Sequence, residues 1–286
     1  MISDITLGQF FPGYSQLHRL DPRTKLILSV AFIVAVFVAN NPLTLLVLCL
    51  AVLGLIGVSR ISYRVVFRGI RPIVFILLFT AVLNVFMTKG DGEPLVALGF
   101  LKIYEEGIAR AIFMAVRVIV LIMGSCVLLT YTTSPIALTD GLESLLSPLK
   151  KIGVPVHTFA MMMSIALRFI PTLVEETEKI MNAQKSRGAD FTTGSLTKRA
   201  KALIPLLIPL FVSAFKRAEE LATAMECRCY RGDKNRTKLV KLEFRARDYL
   251  WFSIFAIFIA GVVCLSVLPY RAELDSLIFK ILFYKI

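Results

Sequence analysis

The residues best placed to do chemistry in this chain come as a pair of matching stretches. Ala183-Gln184-Lys185-Ser186-Arg187-Gly188-Ala189 recurs 41 residues later as Ala224-Met225-Glu226-Cys227-Arg228-Cys229-Tyr230. Each copy closes a segment with a helical pattern. An arginine there offers a planar fork of donors that fits a carboxylate or the carbonyls ending a partner helix. It also sits well with the dipole of its own helix. The small neighbours Ser186, Gly188, Cys227 and Cys229 would let the backbone approach a groove closely. A single copy would read as an ordinary helix end with a solvated arginine. Two copies suggest two matching sockets on a partner. A second frame is open, because Arg231-Gly232 would match Arg187-Gly188 at an offset of 44.

Other chemistry is sparse. The chain has two histidines, His18 and His157, and no GxSxG, HExxH or GxxxxGK pattern. Asp140 and Glu143 share a helical face, but a lone acidic pair is usually solvated. Cys227 and Cys229 lack the second pair or histidines that a metal site needs. An enzyme is not expected, nor a cofactor or metal in this chain.

The elements that must hold the two arginines are membrane-like. Hydrophobic residues make up 57% of 286, and mean hydropathy is +0.74, which predicts an integral membrane protein. Lys and Arg number 33 against 20 Asp and Glu, suiting cytoplasmic loops beside anionic lipid or an acidic partner. Nucleic acid is a poor fit, because aromatic residues do not interleave the basic ones. No cleavable signal peptide is expected ahead of the first apolar run.

An N-terminal region over 1–131 should hold four spans near 26–39, 43–58, 70–87 and 108–131, the first opened by Asp21-Pro22 and the hairpin turned by Asn40-Asn41-Pro42. Arg60, Arg64, Arg68 and Arg71 are spaced to share one helical face, as a basic collar at the inner surface or a strip for a partner. Arg110 and Arg117, seven apart and so on one face, should look towards other protein or water. The positive-inside rule places the N-terminus in the cytoplasm and the Gly-rich acidic loop after Met87 outside. Region 134–247 should form three amphipathic helices on the cytoplasmic side: a short one from Ser134-Pro135 to about Lys151, then 156–187, then 195–228, the last bent at Pro205 and Pro209. Residues 175–247 hold 16 basic and 9 acidic side chains, which argues that this stretch stays inside. A last span at 248–269 and a short tail at 270–286 complete an all-α membrane protein of about five crossings plus three coupling helices.

The two Arg motifs, the segment Leu17-His18-Arg19-Leu20-Asp21-Pro22-Arg23-Thr24-Lys25 and the stretch Ala200-Lys201-Ala202-Leu203-Ile204-Pro205-Leu206 resemble the transmembrane T component of energy-coupling factor (ECF) transporters. The resemblance runs from about Leu7 to Leu268. It is closer to the shared component of several vitamin transporters than to dedicated cobalt/nickel or biotin versions. It implies a multi-pass subunit of an ATP-driven importer of the ABC superfamily in the bacterial cell membrane. Its implied partners are two ABC ATPases, which bind the ATP and Mg, and an exchangeable substrate-capturing S component. The family's two Ala-Arg-Gly ATPase-docking motifs fall on Ser186-Arg187-Gly188 and Cys227-Arg228-Cys229, with Arg231-Gly232 as the alternative for the second. Both copies depart from Ala-Arg-Gly, and Cys229 in place of glycine questions the closeness of that backbone approach. A self-contained secondary transporter fits less well, because the repeat lies in the cytoplasmic helices and not in the spans.

Overall fold

The structure, a computed structural model, describes residues 10–88, 96–98, 101–189, 191, 195–232 and 242–267. The expected tail at 270–286 lies outside the described residues. The chain divides into two compact units. One comprises 10–134 with 242–267, and the other is the intervening stretch from Pro135.

The first unit is a helical bundle: α1 (Pro22–Val38), α2 (Pro42–Ser59), α3 (Tyr63–Ile70), α4 (Val74–Met87), α5 (Glu105–Ser125) and α9 (Ala246–Val267). Proline at the first helical position starts α1 and α2, where its missing N–H would have no partner anyway. Asp21 caps α1 by accepting the Arg23 amide at 2.9 Å. The turn into α2 is held by Thr44 Oγ1, which accepts from the Asn41 amide at 3.3 Å and donates to the Asn41 carbonyl at 2.7 Å. Phe32, Val36, Leu48, Val52, Ile56, Val127 and Leu128 form the centre of the core. Gly124 is required there: a Cβ at that position would lie 2.2 Å from the Phe32 ring.

The other unit holds α6 (Pro135–Leu146), α7 (Val156–Ser186) and α8 (Leu196–Cys227). Both long helices run unbroken through internal prolines, Pro171 in α7 and Pro205 and Pro209 in α8.

The all-helical architecture is as expected, with one addition. The loop between α4 and α5 carries a small antiparallel hairpin, β1 (Val96–Leu98) paired with β2 (Leu101–Ile103). Among the described residues, five helices of 18 residues or more are long and apolar enough to cross a membrane: Pro42–Ser59, Tyr63–Met87, Gly107–Thr130, Val156–Ser186 and Ala246–Ser266. The number matches expectation but the membership differs. The first expected span, at 26–39, falls in α1, whose 17 residues are one fewer than those of α2 and stand at the short end of what crosses a hydrocarbon core of ~30 Å. Helix α7 enters the set through the apolar half that precedes Glu175.

The four-arginine face is corrected. Arg60 ends α2 in the left-handed conformation, with φ of 56°, and α3 starts afresh at Tyr63, so the register of Arg60 is lost. Arg64 and Arg68 remain exposed on α3, with Val66 and Ile70 buried beneath and Arg71 exposed in the following 3-10 turn. Arg117 does face protein. Its guanidinium donates to the Ala39 carbonyl and lies over the Phe113 ring at 4.7 Å.

The segment 17–25 works as a clamp. The Lys25 ammonium, on a residue only 2% exposed, donates to the carbonyls of Thr132 at 2.8 Å and His18 at 3.3 Å. Asp248 accepts the Asp21 amide at 2.9 Å and the Arg245 amide at 2.8 Å. Arg23 pairs with Asp21 at 3.1 Å and lies 4.2 Å over the Phe244 ring. His18 bridges Ser15 Oγ at 2.6 Å and the Phe11 carbonyl at 2.9 Å, and burial pushes its pKa below the ordinary histidine value.

Two stability predictions follow from this packing. Gly124→Ala should lower stability by about 1–3 kcal/mol through overpacking against Phe32, and Phe32→Leu should recover part of that in the double variant, as read by thermal unfolding in detergent. Lys25→Met strands two buried carbonyls beside two carboxylates. It should cost about 3–5 kcal/mol, far more than Arg64→Met on exposed α3, by the same measurement.

Candidate coupling site

Helices α7 and α8, of 31 and 32 residues, end in the same way. Arg187 caps α7 with φ −88° and ψ 8°, and Arg228 caps α8 with φ −89° and ψ 14°. The next residue turns left-handed in each, Gly188 at φ 85° and Cys229 at φ 60°. The hydrogen bonds match as well. The Gly188 amide donates to the Lys185 carbonyl at 2.9 Å and Ala189 to Gln184 at 3.0 Å; Cys229 donates to Glu226 at 2.9 Å and Tyr230 to Met225 at 3.0 Å. These are two Schellman motifs, which satisfy the carbonyls that a helix end leaves open.

This geometry settles the register of the repeat at 41. Arg228 is the structural counterpart of Arg187, and Cys229 that of Gly188. Arg231 lies past the helix end, and Gly232 has its own left-handed φ of 77°. Ser186, Arg187, Gly188, Cys227, Arg228, Cys229 and Arg231 are all exposed, with Gly232 half-buried. Arg187 and Arg228 are both exposed, and neither has an ion-pair partner among the described residues. Cys229 pays the steric cost of a Cβ in a conformation that glycine adopts freely.

Three side chains that sequence reasoning passed over tie α7 to α8. Glu176 on α7 accepts from Ser213 Oγ at 3.1 Å and from the Arg217 guanidinium at 2.5 Å, both on α8. The available signal was the repeat itself, because Glu176 and Arg217 are 41 apart. Between α6 and α7, His157 Nδ1 lies 2.9 Å from Glu143 Oε1. Among the described residues no three His, Cys, Asp or Glu side chains are grouped as metal ligands would need to be. A broad apolar stripe on α8 is exposed, including Leu203, Ile204, Leu207, Phe211 and Phe215, and Phe159, Met162 and Met163 are exposed on α7.

The family model described as CbiQ, cobalt transport protein, matches residues 13–239. The chain belongs to the CbiQ family. Within it, the chain is similar to proteins named energy-coupling factor transporter transmembrane protein EcfT. That of Clostridium kluyveri is 50% identical over 268 residues, covering 94% of this chain and 97% of the relative. That of Ruminiclostridium cellulolyticum is 52% identical over 266 residues, covering 93% and 98%. That of Bacillus subtilis is 51% identical over 248 residues, covering 87% and 93%. The chain is thus a transmembrane component of the energy-coupling factor type, and the matched region of the CbiQ model contains both Schellman ends.

The departure from glycine at the second end is open to test. Cys229→Gly should stabilise the end of α8 by about 1 kcal/mol, and Gly188→Ala should destabilise that of α7 by a similar amount. Space around Gly188 is open, so the effect is conformational and not steric crowding. Hydrogen exchange of the Ala189 and Tyr230 amides measures both.

Proposed function

We propose that this chain is the coupling subunit of an ATP-driven importer, transmitting the motion of two ABC ATPases to a substrate-capturing membrane subunit. The observation that carries this reading is the matched pair of helix ends, each presenting an exposed arginine at a Schellman turn. Two matching ends suit two copies of a socket, one per ATPase. The sockets would offer carboxylates or helix-terminal carbonyls, the groups that a guanidinium fork recognises best.

ATP binding would draw the ATPases together, and α7 and α8 would carry that displacement away from their tips. The exposed apolar stripes on the two helices give the capture subunit a surface to rest on. The chain itself supplies no catalytic group; ATP and Mg belong to the partner ATPases. The N-terminus and the α6–α8 unit lie on the cytoplasmic side of the bacterial cell membrane, in keeping with the basic excess of 175–247. The cargo is a vitamin or similar micronutrient, chosen by the capture subunit. The family model's description names cobalt, whereas relatives at half identity carry the energy-coupling factor name, which favours the shared form of the component over one dedicated to cobalt or nickel.

Each arginine fork should contribute a charged hydrogen-bonding contact. Arg187→Glu or Arg228→Glu alone should weaken ATPase binding by roughly tenfold to a hundredfold, and the double variant should lose the ATPases on co-purification and abolish uptake. Arg231→Glu should leave both largely intact, since Arg231 lies outside the matched motif. An intact complex with normal uptake in the double variant would overturn the reading.

A further inference from the structure

We propose that the Glu176–Arg217 ion pair is a cross-pin that fixes the relative position of the two arginine tips, making both residues positioning residues of the coupling unit. The inference deepens the coupling reading and rests on it for its functional consequence.

The pair stands at equivalent places in the repeat. Glu176 and Arg217 are separated by 41 residues, the offset that superposes Arg187 on Arg228. Where two like helices meet at equivalent positions, they are related locally by a twofold axis through the contact. The shielded faces agree. Leu210, Leu221 and Met225 are shielded on α8, and so are their counterparts Phe169, Ile180 and Gln184 on α7. Each arginine lies eleven positions beyond its member of the pair, Arg187 beyond Glu176 and Arg228 beyond Arg217. That is about 16 Å along each axis, so the tips are two equal arms measured from one point.

A twofold contact between identical residues would set like charge against like. The sequence avoids this by inverting charge at the contact: Glu175-Glu176 on α7 stand where Lys216-Arg217 stand on α8. Thr172 and Ser213 occupy the preceding turn of each helix, and Ser213 donates to the same carboxylate as Arg217. Glu176 is thereby held by two donors from two successive turns of α8.

Specificity of position is the reason to place an ion pair here. A seam of apolar and small side chains tolerates slippage by a helical turn, about 5.4 Å, and a slip of α8 along α7 would move Arg228 by that distance relative to Arg187. A serine-braced pair, with Ser213 Oγ accepting from Arg217 Nε and donating to Glu176, has one register. The side chains of Arg217 and Glu176 are 37% and 27% exposed, so the contact contributes little to stability. Its contribution is to select one arrangement of two long helices.

The test uses the full chain in lipid nanodiscs, with Cys227, Cys229 and Cys264 replaced by serine and spin labels at positions 183 and 224. Both positions are exposed alanines in wild type, one turn before each arginine. The parent should give one narrow distance distribution. Glu176→Arg alone and Arg217→Glu alone should broaden it or add a second distance, and the two together, which restore the pair in reverse, should narrow it again. Glu176→Gln, a milder change, should also broaden it. An unchanged narrow distribution in the single variants, or a reversed pair that stays broad while circular dichroism shows intact helices, would overturn the cross-pin. In the assembled transporter, the single reversals should retain the ATPases and their ATP hydrolysis but lose uptake several-fold, with recovery in the reversed pair. Normal uptake in the singles would likewise overturn it. The distance measurement needs no ATPase, so the two ideas fail separately: if Arg187→Glu with Arg228→Glu keeps its ATPases while the distances respond as expected, docking falls and the cross-pin stands.

Discussion

A buried ammonium group organises the bundle. Charge removed from water must find hydrogen bonds or opposite charge, and Lys25 finds both. Its donors reach carbonyls of Thr132 and His18, with Asp21 and Asp248 supplying the compensating charge nearby. Those contacts fix where α1 begins, where the helix continuing from α5 stops, and where α9 starts. The remaining helices of that unit pack around a core whose ends are already set. The 17–25 segment is thus a structural clamp, although its density of charged residues could suggest a site.

The other unit is organised differently. Few of its side chains are buried, and its helices expose apolar stripes on one part and charge on another. Such helices depend on specific contacts to hold a unique arrangement, among them His157 with Glu143 between α6 and α7, and Glu176 with Arg217 and Ser213 between α7 and α8. Polar contacts of this kind set register at modest cost in stability. They suit a part whose task is to carry displacement between partners, since a loosely packed pair with a fixed register can move as one piece.

Much of this was legible in the residues. The ends of α7 and α8 lie within one residue of the positions expected, because a small residue after an arginine, following a long helical pattern, marks a Schellman ending. The starts of α1, α2 and α6 follow from proline at the first helical position. Legibility failed where tertiary geometry overrode local pattern. Nothing in Ser59-Arg60-Ile61-Ser62 signals a left-handed residue, so the four arginines read as one face when α3 in fact restarts. The continuation of α5 as a π-helix over Cys126–Thr130 also leaves no mark in composition. The Glu176–Arg217 contact could be read only after the register was fixed, since offsets of 41 and 44 compete until the helix ends are seen.

The last helix carries a consequence for how the protein is made. Helix α9 belongs to the same unit as α1–α5. It is tied to them at one end through Asp248, and at the other by Ser266 Oγ donating to the Val38 carbonyl at 2.8 Å and Asn41 Nδ2 donating to the Leu265 carbonyl at 3.3 Å. The ribosome must therefore translate roughly a hundred intervening residues, on the order of 5–20 s of synthesis, before the first helices meet their closing neighbour. For that interval the nascent bundle waits half-assembled, with the Asp21 amide lacking its carboxylate and one flank open to any other chain in the membrane.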